Sequence, residues 1–293
     1  MQVHLVDGTY ELFRHFFGVP SHRNGADREV AAVRGVLSSV LGMLGDGATH
    51  VGVATDHVIE SFRNDMWPGY KTGAGVDPLL MGQFGLLEEA LELMGVAVWP
   101  MVELEADDAL ASAAAVAASD PAVSQVIICT PDKDLGQCVV GKRVVQMDRR
   151  KGVVIDEVGV RAKFGVGPES IPDYLALVGD SADGFPGLSG WGAKTTAAVL
   201  ARYEHLEAIP DAPGQWDVPI RGVAGLAVTL AAQRDLALLF RDLATLRTTP
   251  PVIAGVEELR WSGPREGFAA LAAGELDSSS LAERADRLAW SRR

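Results

Sequence analysis

Two aspartates three apart, Asp180 and Asp183, stand just ahead of a glycine-rich turn in the stretch V-G-D-S-A-D-G-F-P-G-L-S-G-W-G-A-K-T-T, Val178 to Thr196. Carboxylates are oxygen ligands for hard cations such as Mg²⁺. Gly187, Gly190 and Gly192 follow, and then Lys194 at the start of an Ala-rich helical pattern. Glycines before a helix N-terminus leave amide N–H groups open to an anion. Metal ligands next to a backbone that can approach a phosphate point to phosphodiester chemistry.

The elements that must position these groups read as an alternation of strands and helices. Gln2–Val6, His50–Ala54, Val96–Trp99 and Gln125–Cys129 are short apolar strand patterns, with helical periods over Leu12–Phe17, Asp27–Leu44, Pro78–Met94 and from Glu103 to Ala118 between them. A small strand pair, Val144–Met147 and Val153–Ile155, follows around the basic turn Arg149–Gly152. This order predicts an α/β fold with a mostly parallel central sheet and flanking helices. In such sheets ligands bind beyond the carboxyl ends of the strands, and Asp7, Asp56 and Asp132 stand just past strand ends. From Glu157 on, the pattern is all-helical, near 157–164, 168–178, 192–201 and 222–247. We therefore place an α/β domain at 1–160 and a helical region at 161–293, whose last stretch from Pro250 carries no readable motif and is expected to form a helical cap.

The chain has 293 residues and a net charge of −13. A nucleic-acid binder usually carries a basic footprint, so this charge argues against that class unless cations offset converging carboxylates. No apolar run spans a bilayer and no secretory leader is visible, so no membrane partner and a cytoplasmic location are expected. Cys129 and Cys138 read as inert thiols of a reducing compartment.

The remaining acids extend the constellation: Glu105, Asp107 and Asp108 in E-A-D-D, and Asp132 and Asp134 in T-P-D-K-D. Each has an ordinary explanation. An Asp after a strand is commonly a turn or cap residue, and acids at a helix start are favoured by the macrodipole. Together, so many like charges at one sheet end would repel without cations, and two divalent ions could hold them and align water with a phosphate.

The motif order, D-G after the first strand, D after the second, F-R and Y-K in the next loop, E-A-D-D, T-x-D-K-D, then G-D-S-x-D-x-x-P-G-x-x-G-x-G-x-K-T, resembles the 5′-nuclease family of bacterial flap endonucleases and the 5′-3′ exonuclease domain of DNA polymerase I, across residues 2 to 247. No polymerase domain follows, which would make this a stand-alone form. The resemblance implies a PIN-like domain and a helix-hairpin-helix (H3TH) near 178–200. It implies that Asp56, Glu105, Asp107 and Asp108 hold a first Mg²⁺ or Mn²⁺, and Asp132, Asp134, Asp180 and Asp183 a second. Asp7 would act through water. Lys71 and Arg63 would meet the scissile phosphate, and Tyr70 would position a base. An arch near 64–90 would cover the single-stranded 5′ arm. Gly187, Gly190, Gly192 and Lys194 would grip duplex phosphates around a K⁺ ion. The partner would be DNA with 5′ ends or flaps, or an RNA–DNA flap, bound by a monomer in replication and repair.

The residues also carry plainer readings: surface charges for Lys71, Arg63 and Lys194, packing for Tyr70 and Trp67, an interhelical turn for the glycines. The chain departs from the family pattern at Pro131, Gly184 and Trp191, and its arch, Tyr70 to Gly75, lacks further basic residues. Competing functions are a non-catalytic junction binder, which would bind flaps without cutting, a general metal-dependent ribonuclease, and a phosphatase using a D-x-D pair.

Overall fold

The computed structural model describes residues 1–292. In chain order the elements are β1 Gln2–Asp7, α1 Gly8–Gly18, α2 Ala31–Gly45, β2 His50–Asp56, α3 Phe62–Met66, α4 Pro78–Met81, α5 Phe84–Leu93, β3 Ala97–Met101, α6 Ala106–Ser119, β4 Gln125–Cys129, β5 Val144–Asp148, β6 Val153–Ile155, α7 Glu157–Phe164, α8 Ile171–Val178, α9 Ala193–Tyr203, α10 Val223–Ala232, α11 Arg234–Ala244, α12 Phe268–Gly274 and α13 Ser279–Trp290. They form two compact units: Met1–Ile59 with Gly73–Thr130 and the chain from Thr248 on, and Glu60–Thr72 with Pro131–Arg247.

In the first unit four parallel strands lie in the order β3-β2-β1-β4. Val3, Leu5 and Val6 of β1 and Val51, Val53 and Ala54 of β2 are fully buried, as strands covered on both faces require. The covering helices supply the apolar stripes that periodicity predicts. Val33, Val36, Leu37, Val40, Leu41 and Leu44 of α2 are all buried, and Ala109, Ala113 and Ala117 of α6 let that helix approach closely. Register fixes what stands at the carboxyl ends: Asp7 pairs with Ala54, Asp56 with Met101 and Val6 with Cys129. The tail without a motif packs in this unit. Trp261 donates its backbone N–H to the Thr49 carbonyl at 2.9 Å and its indole N–H to the Met94 carbonyl at 2.8 Å.

Several helices differ from their expected extents. α1 begins at Gly8 rather than Leu12, because the Asp7 side chain accepts from the Tyr10 N–H at 2.8 Å and caps it. The period over Pro78–Met94 is two helices, broken at Gly82 and Gln83.

The second unit pairs β5 with β6 antiparallel and gathers α3 and α7 to α11 around an apolar core. Phe185 stacks on Phe240 at 5.4 Å, and Trp67 meets Phe240 edge-on at 5.1 Å. Buried Asp173 of α8 accepts from His205 Nδ1 at 2.9 Å, the Leu206 N–H at 3.2 Å and Arg241 of α11 at 3.3 Å. The helical period over 222–247 is two helices bent by 79° at Gln233. There Arg234 reaches out to the Leu206 and Ile209 carbonyls and to Asp211. Among the described residues no single helix is long and apolar enough to cross a membrane. The compact division falls after Thr130, ahead of the change to an all-helical pattern near 160, because the β5–β6 hairpin packs with α7 in the second unit.

Candidate metal centre

Within the second unit, one carboxylate oxygen each from Asp134, Asp180 and Asp183 lies within 4.8 Å of the other two. Three local structures bring them together. Asp134 opens a single-turn helix after Pro131, its N–H bonded to Asp132 Oδ1 at 3.0 Å. Asp180 follows α8, accepts from the Ala182 N–H at 2.9 Å and exchanges backbone hydrogen bonds with Phe185, which closes a tight loop. Asp183 stands inside that loop, nearly buried. Gly179 and Gly187 flank the loop, and a Cβ on Gly187 would stand 2.4 Å from the Gly179 nitrogen, so the turn closes only with glycine there.

The electrostatics of this set are unbalanced. Burial first, then the charges of Asp132 and Asp183, push the Asp134 carboxyl well above the usual carboxylate range. Asp134 Oδ1 is buried without a hydrogen-bond partner. Two ammonium groups enter the cluster. Lys133 Nζ contacts Asp180 Oδ2 and lies 3.8 Å from Asp134 Oδ1, and Lys71 Nζ lies 3.0 Å from Asp183 Oδ1. Burial lowers the Lys133 ammonium, and Asp134, Asp180 and Asp132 outweigh it and hold it above its ordinary value. A buried carboxyl oxygen with no hydrogen-bond partner, beside two more carboxylates, is a donor set that suits a hard divalent cation. Exposed Asp132 flanks the set, its carbonyl accepting from the Gln146 side chain.

The first-unit acids are placed differently. Asp56 Oδ1 accepts from the Ala106 N–H at 2.8 Å and so joins the end of β2 to the start of α6. Asp108 is fully buried and closes a capping box with Glu105, accepting from its N–H at 2.9 Å. Asp107 is partly exposed beside them. Asp7 Oδ1 caps α1, and its Oδ2 accepts from the Thr130 hydroxyl at 2.9 Å. Asp7 and Asp56 end β1 and β2, Glu105, Asp107 and Asp108 stand at the start of α6 after β3, and several of these acids already serve as structural acceptors.

Two expectations need correction. Arg63 is 1% exposed, and its guanidinium donates to the Leu243 and Thr245 carbonyls at 2.8 and 3.2 Å, so it binds its own unit rather than a phosphate. Tyr70 is 3% exposed within the apolar core, out of reach of a base. Of the stretch expected as an arch, 64–90, residues 71–79 are exposed or half-exposed, α3 lies in the second unit, and α5 buries Phe84, Leu86, Leu87 and Leu91 in the first. Gly184 explains its own departure from the family pattern. Its φ is +83°, and a Cβ there would stand 2.0 Å from the Gly69 carbonyl oxygen, where the 67–71 loop docks through Lys71 N–H to Asp183 O at 3.0 Å.

The hairpin Gly187–Gly192 runs into α9, with Gly192 as its N-cap residue and Lys194 exposed in the first turn. Beside it a cleft of about 400 Å³ is lined by Ser189, Gly190, Thr195 and, from the next helix entry, Arg221. Trp191, where the family pattern has Ile, is buried against Trp216 at 5.9 Å. Two residues here had no assigned role in the sequence. Lys133 was visible as the cation between two acids in D-K-D. Arg221 had no local signal.

The sequence matches two consecutive family models: the 5′-3′ exonuclease N-terminal resolvase-like domain over residues 2–165, and the 5′-3′ exonuclease C-terminal SAM fold over residues 166–267. This chain belongs to the 5′-3′ exonuclease family. The fold and the nuclease class expected from the motifs are those of the family. DNA polymerase I of Pseudomonas aeruginosa is 32% identical over 278 residues, 91% of this chain and 30% of the relative. The thermostable DNA polymerase I of Thermus aquaticus is 33% identical over 252 residues, 86% and 29%. The chain thus spans about 30% of the length of these curated relatives. Among solved structures, the bacteriophage T5 5′-exonuclease with bound zinc aligns over 99% of this chain and 100% of its own, at a TM-score of 0.69 and 17% identity. The T5 D15 flap endonuclease in a complex with DNA and metal ions aligns over 99% of both chains, at 0.66 and 20%. The catalytic core of Rad2 with DNA substrate aligns over 98% of this chain and 90% of its own, at 0.62 and 17%.

Proposed function

We propose that this member of the exonuclease family is a structure-selective 5′-nuclease that hydrolyses DNA phosphodiesters at 5′ ends and flaps with divalent metal ions. The observation that carries the reading is the meeting of Asp134, Asp180 and Asp183, with an unpartnered buried oxygen, in a chain whose two halves match the two domains of the family.

In this reading Asp134, Asp180 and Asp183, with Asp132 beside them, hold one Mg²⁺ or Mn²⁺, and Asp56, Glu105, Asp107 and Asp108 hold the other. When bound, such ions supply a Lewis acid for the phosphate and activate water. Asp7 orients the start of α1 and acts on the site through its neighbours. Lys71 is partly exposed on a flexible stem and turns from Asp183 to the phosphate next to the scissile bond. The exposed backbone of the hairpin and Lys194 take duplex phosphates, with a monovalent cation such as K⁺ in the turn. Arg221, at the adjacent cleft, extends that contact. Flaps made of RNA on DNA are a second substrate of the same chemistry. The enzyme acts as a monomer, in the cytoplasm.

Cleavage of an end-labelled double-flap DNA in Mg²⁺ and in Mn²⁺ tests this. The wild type cuts near the flap junction and Asp180→Ala does not. Tight flap binding with no cutting by the wild type in either metal would instead establish a junction binder. Preferential cutting of single-stranded RNA would establish the ribonuclease.

A further inference from the structure

We propose that Lys133 is an internal counter-ion: it holds the Asp134–Asp180–Asp183 set together without metal, and it competes with a divalent ion for the same oxygens, so that it sets the metal affinity of that set. The inference rests on the reading of that set as a metal ligand group.

Three nearby carboxylates cannot stay ionised together without a cation. In this protein the nearest cation is built in. Lys133 Nζ touches Asp180 Oδ2 and faces Asp134 Oδ1 at 3.8 Å, the oxygen that finds no hydrogen-bond donor. The Lys133 backbone is fixed, because it lies between Asp132 and Asp134 in a turn closed by the 3.0 Å bond from the Asp134 N–H to Asp132 Oδ1. Only its four-carbon stem can move. Its side chain is 33% exposed, so the ammonium has a path to water. Lys71 also enters the set, its Nζ 3.0 Å from Asp183 Oδ1 and its own backbone N–H bonded to the Asp183 carbonyl at 3.0 Å. Lys133 thus bridges two members of the trio. A divalent ion entering the set must take Asp180 Oδ2 from it. The unpartnered Asp134 oxygen gains a ligand bond that Lys133 at 3.8 Å does not provide, and this favours the exchange.

Mn²⁺ titration followed by the electron paramagnetic resonance of the free ion tests this on the full chain. Asp180→Asn identifies which class of Mn²⁺ sites belongs to the trio. Lys133→Met removes the charge and keeps the length. It is expected to tighten that class about tenfold, the scale set by losing one competing charge at contact distance. Lys133→Arg keeps the charge and stays near the wild-type constant. In EDTA, Lys133→Met melts below the wild type, and Mn²⁺ raises its melting temperature by more. Loosening of the fold alone would weaken Mn²⁺ binding, so an unchanged or weaker constant in Lys133→Met overturns the proposal. If Lys133→Met fails to fold by circular dichroism, Lys133→Gln carries the same comparison. A wild type with no Mn²⁺ class sensitive to Asp180→Asn would defeat the metal reading itself, and the proposal with it.

Discussion

The two compact units each carry a group of acids, and the groups are built on opposite principles. In the first unit Asp7, Asp56 and Asp108 accept hydrogen bonds from backbone N–H groups of nearby helix starts. Their charges are welcome there, because a helix N-terminus is itself partly positive. In the second unit Asp134, Asp180 and Asp183 face one another, and lysine ammonium groups intervene. The first group helps build the fold. The second is a liability that a cation must offset. The same residue type thus does structural work in one unit and stores repulsion in the other.

This contrast can be broken by substitution, and the largest effect is on activity. Asp180→Ala is expected to lower flap cleavage at saturating Mg²⁺ by at least about a hundredfold to a thousandfold, the scale of losing a principal electrostatic group. Single-turnover rates measure it, and a loss under tenfold would remove Asp180 from the site. Next in size is a steric test of the loop that presents the trio. Gly184→Ala forces a Cβ against the Gly69 carbonyl at a positive φ and should destabilise by about 2 kcal/mol, read by urea unfolding.

The contrast is sharpest in stability, where the two groups should respond with opposite signs. Asp108→Ala removes the capping acceptor of α6, leaves the buried Glu105 N–H unpaired and should destabilise by about 1–2 kcal/mol. Asp134→Asn removes a charge that burial and its acidic neighbours disfavour, and should stabilise the metal-free protein by about 1 kcal/mol. Equal destabilisation by both would erase the distinction. The smallest effect is expected at the hairpin. Lys194→Ala should weaken duplex binding modestly and reduce the slope of log affinity against log salt by about one.

The strands, the α2 stripe and the D-x-x-D loop were legible because each rests on local rules: alternation of elements, helical period, and acids placed after strand ends. The sequence also marked the acids in both groups. It did not distinguish the groups, because capping and repulsion depend on what the fold brings opposite each carboxylate. Arg63 and Tyr70 were misread for a related reason. A cation and an aromatic in a glycine-rich loop look exposed, yet the loop docks on α11, where the Leu243 and Thr245 carbonyls, at and just past the helix end, lack helical donors and receive the Arg63 guanidinium. The bend at Gln233 left no Gly or Pro signal, since it is held by contacts of Arg234 distant in sequence.

The most direct test of the central claim, that Asp134, Asp180 and Asp183 form a metal site, needs no DNA. The melting temperatures of the wild type, Asp180→Asn and Asp108→Asn are compared in EDTA and in millimolar Mn²⁺. A ligand that binds only the folded state stabilises it by RT ln(1 + [L]/Kd) and so raises the melting temperature. The account predicts a clear Mn²⁺-dependent rise in the wild type that Asp180→Asn largely loses. A rise in Asp180→Asn equal to that of the wild type would contradict it.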